Sequence, residues 1–238
     1  VSYRLPNGDA SLVAQHVPQI RPQLPWLPED GIPEHLRRIA MICAMDEDPP
    51  GLMPWMIVRT HDYGVEAHNG EDNCQHRLHW QKGIFLSYPP HGEAFVEKRG
   101  RELHVYAQAD WPQYFMTVLQ DTLKKLIKDN WPGMEGRYRF TIPCPTIKDD
   151  GKQCAGRFNV KALQEFMTKS AVFPCQECFQ MHSISDLLMG FEERSLDEQI
   201  REFRQEVLGR FDGLESRIAN YFMSTMRAIA DEAKSGPR

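Results

Sequence analysis

The stretch Glu93-Ala94-Phe95-Val96-Glu97-Lys98-Arg99-Gly100-Arg101-Glu102-Leu103-His104-Val105-Tyr106-Ala107-Gln108 decides the fold class. In its second half Leu103, Val105 and Ala107 alternate with Glu102, His104, Tyr106 and Gln108, the period of a strand that buries one face. Gly100, set between two arginines, suits a tight hairpin turn. The run His79–Ser87 precedes this pair, separated from it by the turn cluster Pro89-Pro90-His91-Gly92. Three strands joined by short turns predict an antiparallel meander.

Working outward, Asp110 reads as the N-cap of a helix with Pro112 in its first turn. Phe115, Val118, Leu119, Leu123, Leu126 and Ile127 recur at helical spacing, and Trp131-Pro132-Gly133 ends the run. A strand over Arg137–Ile142 follows. Upstream, Trp55-Met56-Ile57-Val58-Arg59-Thr60-His61 is short and rich in β-formers and reads as a strand. Glu34–Met45 fits either a helix or a strand. Eight prolines within the first fifty residues fix φ and withhold amide donors, so that segment should drape over a core. The fold class is α+β: an antiparallel sheet packed on a helix, a small cysteine-bearing lobe and a long C-terminal helix. The expected divisions are 1–142, 143–190 and 191–238.

Four cysteines fall in the middle part: Cys144, Cys154, Cys175 and Cys178, spaced C-x9-C-x20-C-x2-C. The Cys175-Gln176-Glu177-Cys178 knuckle can turn two thiolates toward one ion. Cys144 and Cys154 can complete a tetrahedral set by folding the loop between them back on itself. A zinc-ribbon-like lobe with structural Zn2+ is the expectation, because so small a loop-rich segment has little core of its own. Reduced or disulfide-bonded spectators and a CxxC redox pair are the competing readings. His182, four residues beyond Cys178, is the substitute ligand should one cysteine drop out. A second group, His61, His68, Cys74, His76 and His79, has no familiar knuckle spacing and reads as an exposed loop.

From Ser195 onward no proline occurs until Pro237. Leu196, Ile200, Phe203, Val207, Phe211, Leu214, Ile218 and Tyr221 are spaced 4-3-4-4-3-4-3, a heptad stripe with one stutter. Glu202, Arg204, Glu206, Arg210 and Arg217 cover the other faces. These eight residues are the expected dimer interface of a coiled coil.

The 28 basic and 33 acidic residues of the 238-residue chain leave a net charge of −5, which weighs against general nucleic-acid binding. No apolar run reaches the ~18 residues of a membrane span, and no signal peptide opens the chain, so a cytoplasmic location is expected. There is no phosphate loop, G-x-G-x-x-G, G-x-S-x-G or H-E-x-x-H, and no catalytic residue is nominated. With valine in first place, the chain reads as a piece of something longer.

Leu12-Val13-Ala14-Gln15-His16-Val17-Pro18, then Pro50-Gly51-Leu52-Met53-Pro54-Trp55-Met56-Ile57-Val58-Arg59-Thr60-His61, then His79-Trp80-Gln81-Lys82-Gly83-Ile84-Phe85-Leu86 and Ala94-Phe95-Val96 occur in a telling order. In that order and spacing, residues 10–142 resemble the C-terminal half of the COR domain of Roco proteins, the multidomain Ras-like GTPases. The resemblance implies a non-catalytic regulatory and dimerising module, paired with itself and set between an upstream Roc-like GTPase domain and a downstream effector domain. GTP would enter only through that upstream domain, so no nucleotide-binding residue carries over. The cysteine lobe departs from the minimal pattern of the family. A zinc-ribbon nucleic-acid-binding or protein-interaction adaptor is the second reading.

Overall fold

The structure, a computed structural model, describes residues 2–4, 11–13, 17–67, 76–149 and 151–191. The predicted C-terminal helix and its eight seam residues lie outside the described residues.

Two short strands open the chain, β1 (Ser2–Arg4) and β2 (Ser11–Val13), paired antiparallel. β3 (Arg37–Met45) resolves the open choice over 34–45 as a strand, and it lies in the middle of the main sheet. After α1 (Leu52–Arg59) comes a two-residue pairing of β4 (Glu66–Ala67) with β5 (His76–Arg77). The meander then runs through β6 (His79–Trp80), β7 (Gly83–Tyr88), β8 (Gly92–Arg99) and β9 (Glu102–Ala109). α2 (Pro112–Asn130) leads to β10 (Tyr138–Pro143) and β11 (Arg157–Asn159). The described chain ends with α3 (Val160–Phe166), the paired strands β12 (Val172–Pro174) and β13 (Met181–Ser183), and the short α4 (Ile184–Leu187).

Seven strands form one antiparallel sheet in the order β11-β10-β3-β9-β8-β7-β6. The predicted hairpin closes as expected: Arg99 pairs with Glu102, and Gly100 holds φ 62° in the turn. His79–Ser87 is split by a second turn at Gln81-Lys82, with Trp80 opposite Gly83. A side chain at Gly83 would meet the Trp80 ring at 2.2 Å, so the position admits only glycine.

The stretch 55–61 is a correction: it lies in helix α1 and the turn of 3-10 helix after it, not in a strand. β propensity lost to periodicity. Leu52, Met53, Met56 and Ile57, spaced 1-3-1, make one apolar face, and all four are buried. Gly51, in the left-handed conformation at φ 76°, turns the chain into the helix. Pro54 sits in the first turn, where its missing N–H costs no hydrogen bond. α2 matches the expected helix, except that Trp111, not Asp110, occupies the N-cap and no side chain caps it.

Both faces of the sheet are covered. On one face, Ile84, Val96, Val105 and Met41 are aligned across four strands by register and packed under α2. Phe115, Met116, Leu119, Leu123, Leu126 and Ile127 of α2 are all fully buried against this face. The opposite face carries Phe85, Phe95 and Tyr106, and the proline-rich segment drapes Trp26 across it. Trp26 meets Phe85 edge-on, donates its indole N–H to Glu93 at 2.8 Å and lies under the Arg38 guanidinium at 4.6 Å.

Residues 143–191 share the main core. Phe158, Val160, Leu163, Ile184, Leu187, Leu188 and Phe191 belong to the same buried cluster as α2, and β11 extends the sheet as its edge strand. Arg157 makes a two-pronged contact with the Glu102 carboxylate, which holds that carboxyl below its ordinary range.

Candidate metal centre

The four sequence-nominated cysteines come from two hairpin-like loops. Cys144 follows β10 and Cys154 precedes β11, so pairing of these strands brings the nine intervening residues back on themselves. The loop is closed by Ile147 bridging to Gln153 and by the Cys154 amide donating to the Thr146 carbonyl at 2.8 Å. Cys175 and Cys178 lie in the turn between β12 and β13. There the Phe179 amide donates to Cys175 O and the Cys175 amide to Gln180 O, both at 2.9 Å. Phe179 adopts φ 58°, a left-handed conformation uncommon for a bulky residue, and its ring is 80% exposed.

All four sulfur atoms lie within 4.8 Å of one another. Cys144 Sγ and Cys178 Sγ are 3.8 Å apart, as are Cys154 Sγ and Cys175 Sγ. A disulfide requires about 2.05 Å, and the cysteines are free thiols. Four sulfurs tetrahedrally placed around an ion at ~2.3 Å are separated by about 3.8 Å. The cluster can therefore hold one metal ion and is compatible with structural zinc.

Backbone amides point at the sulfurs by a repeated rule, each donated from two residues further along the chain. Thr146 donates to Cys144, Gly156 to Cys154 at 3.3 Å, and Gln180 to Cys178. The Gln180 amide brings the Cys178 thiol down to about 6, whereas burial pushes Cys144 up to about 12. Cys43, in the middle of β3 and likewise pushed up to about 12 by burial, is far from thiolate character and reads as packing.

His182 is near the cluster, but the four sulfurs already converge without it. Its Nε2 lies 3.4 Å from Cys144 Sγ and 3.3 Å from Thr146 Oγ1, with its ring edge-on to Phe158. Gly156 packs directly against the sulfur cluster, which cysteine spacing alone did not reveal. A Cβ there would sit 2.3 Å from Cys175 Sγ. Gly156→Ala is expected to prevent the four sulfurs from closing on an ion, reducing bound metal per chain at least tenfold. Metal analysis of the purified variant checks this.

Of the histidine group, His68 and Cys74 lie outside the described residues. His61 is buried at the end of α1, with Nδ1 3.0 Å from Val58 O and Nε2 2.9 Å from the Asp62 carboxylate. No second metal-capable cluster occurs among the described residues, and no helix among them is long and apolar enough to cross a membrane.

A search of curated proteins returned no match. The family model described as the C-terminal of Roc, COR-B domain matches residues 37–190. The match begins at β3 and runs through the cysteine lobe, so it extends past 142 at one end of the 10–142 resemblance and leaves residues 10–36 at the other outside it. With well over half its length covered, from the central strand to the last described helix, the chain belongs to the COR-B family.

Proposed function

We propose that this chain is a non-catalytic regulatory and dimerisation module of a larger Roco-type GTPase, acting in the cytoplasm. It pairs two protomers and relays the nucleotide state of an upstream Roc-like domain to a downstream effector. The observation that carries this reading is the COR-B match over 37–190, a family defined by its position after Roc. GTP belongs to the upstream domain, and the residues of this chain provide scaffold and contact surface.

Two features give the module its parts. A structural Zn2+ held by Cys144, Cys154, Cys175 and Cys178 fastens the lobe to the sheet. Pairing runs through the heptad stripe Leu196, Ile200, Phe203, Val207, Phe211, Leu214, Ile218 and Tyr221, whose apolar spacing suits a two-helix seam.

The test of the pairing is sedimentation of the full chain at tens of micromolar. The wild-type protein is expected to run at twice the chain mass, and Leu214→Asp, which sets a charge in the seam, at the mass of one chain. An unchanged mass for Leu214→Asp contradicts the assignment of the interface.

A further inference from the structure

Cys144 and Cys178 differ from the other two cysteines in what surrounds them. Thr146 Oγ1 lies 3.4 Å from Cys144 Sγ, 3.7 Å from Cys178 Sγ and 3.3 Å from His182 Nε2. His182 Nε2 is in turn 3.4 Å from Cys144 Sγ. One hydroxyl and one imidazole thus form a closed polar triangle with Cys144, and the hydroxyl reaches the Cys178 sulfur as well.

The elements make this arrangement hard to lose. Thr146 is fixed by its own carbonyl, which accepts from the Cys154 amide at 2.8 Å. His182 lies on β13 opposite Phe173, and its ring packs edge-on against Phe158, itself 3% exposed. Neither side chain has to reorganise to meet the sulfurs. Cys154 receives the Gly156 backbone amide at 3.3 Å, the counterpart of the Thr146 and Gln180 amides at Cys144 and Cys178, so the hydroxyl and the imidazole come in addition to the amides at those two sulfurs.

Chemistry fixes the direction of these contacts once the thiols ionise. A thiolate has no proton to give, so toward metal-bound sulfurs the imidazole N–H and the hydroxyl can only donate, the N–H to Cys144 and the single hydroxyl proton to Cys178. Each donated hydrogen bond withdraws electron density from a sulfur and holds it in place. Four thiolates around a dication leave two net negative charges in a partly buried site, and donors on two of them offset that excess.

From this geometry we infer that Thr146 and His182 are positioning residues of the metal centre: they donate to the Cys144 and Cys178 thiolates and set how tightly the site keeps its ion, without themselves ligating it. The inference rests on the reading of the four cysteines as a metal site. His182, nominated from sequence as a reserve ligand, then acts one step outside the ligand set.

The experiment uses the full chain loaded with Co2+, whose absorption reports sulfur coordination, and follows transfer of the ion to excess chelator. Wild-type protein is expected to show the thiolate-to-cobalt charge-transfer bands of a four-sulfur tetrahedral site. Thr146→Val, which keeps the shape and removes the hydroxyl, and His182→Ala should both release the ion some 10–100-fold faster. Both should keep the tetrahedral pattern, with the charge-transfer band displaced to lower energy because a thiolate that has lost one of its donors is easier to oxidise. Thr146→Ser and His182→Gln, which restore a donor, should stay within about threefold of wild type. Release at the wild-type rate from both Thr146→Val and His182→Ala, with unshifted bands, overturns the inference while leaving the metal site standing. Loss of the tetrahedral four-sulfur spectrum in His182→Ala alone overturns it differently, by making His182 a ligand. A wild-type chain that shows no sulfur-to-cobalt band defeats the underlying metal reading as well.

Discussion

Removing the metal is expected to free the edge of the sheet and leave its centre intact. A strong chelator, or Cys175→Ser, should raise amide exchange at least tenfold in β11 and in the β12–β13 pair. β3, β8 and β9 should keep wild-type protection. Element length sets the difference. β11, β12 and β13 have three residues each, too few for hydrogen bonding alone to hold them. The two loops that shape this region meet at the four sulfurs. Structural zinc contributes on the order of 10 kcal/mol of binding free energy in small metal-dependent domains. That exceeds what the Arg157–Glu102 ion pair, with both side chains substantially exposed, can supply. β3 and β9 are instead paired along eight residues in the middle of the sheet and buried beneath α2. Hydrogen exchange followed by mass spectrometry resolves the two regions. Equal protection with and without metal in β11 would show that apolar packing by Phe158, Val160 and Leu163 fastens the edge unaided.

The second large effect is expected at Phe115. This side chain on α2 is fully buried, with its ring 5.8 Å from Tyr63 and 5.6 Å from Tyr88. It therefore ties the long helix to β7 and to the turn after α1 at one point. Truncation removes a large apolar side chain and leaves a cavity whose aromatic walls cannot collapse into it. Phe115→Ala should lower stability by about 3–5 kcal/mol, a large fraction of the ~5–15 kcal/mol that holds a typical domain. A denaturant titration of the metal-loaded chain measures the loss. A value below about 1 kcal/mol would mean that the three rings do not form the joint described.

How much of this was legible in the sequence depended on whether a local signal and the tertiary environment agreed. The β8–β9 hairpin announced itself because alternation and Gly100 pointed the same way, and the observed register follows. α2 was equally plain: one apolar stripe over nineteen residues leaves no competing period. α1 was misread because its residue types favour strands while its burial repeats at helical intervals. In eight residues the two signals are short enough to compete, and packing of Met56 and Ile57 on the core settled the matter. The second covered face was only half visible. Prolines foretold a draped segment, but nothing local marked Trp26 as the residue that would close over Phe85 and Phe95. Pairing at that distance is a property of the fold.

The candidate site shows the same division. C-x2-C marked two of the four converging cysteines outright, and the wide Cys144–Cys154 spacing made sense only once β10 and β11 were seen to be neighbours. Gly156 and Thr146 carried a faint signal, each standing two residues after a cysteine. That is where a backbone amide can reach back to sulfur, but sequence alone gives no weight to it. β10 runs to Pro143, β11 rejoins the same sheet, and the cysteine lobe shares its core. A cysteine-rich composition does not by itself reveal where buried surface is shared.

The proposed module requires the four cysteines to act together as one metal site within a COR-B unit. The most direct test is elemental analysis of the full chain, purified without chelator and quantified for zinc against protein concentration. One zinc per chain is expected, lost in Cys175→Ser. Much less than one zinc per chain in protein that is folded by the β3, β8 and β9 exchange pattern would contradict it.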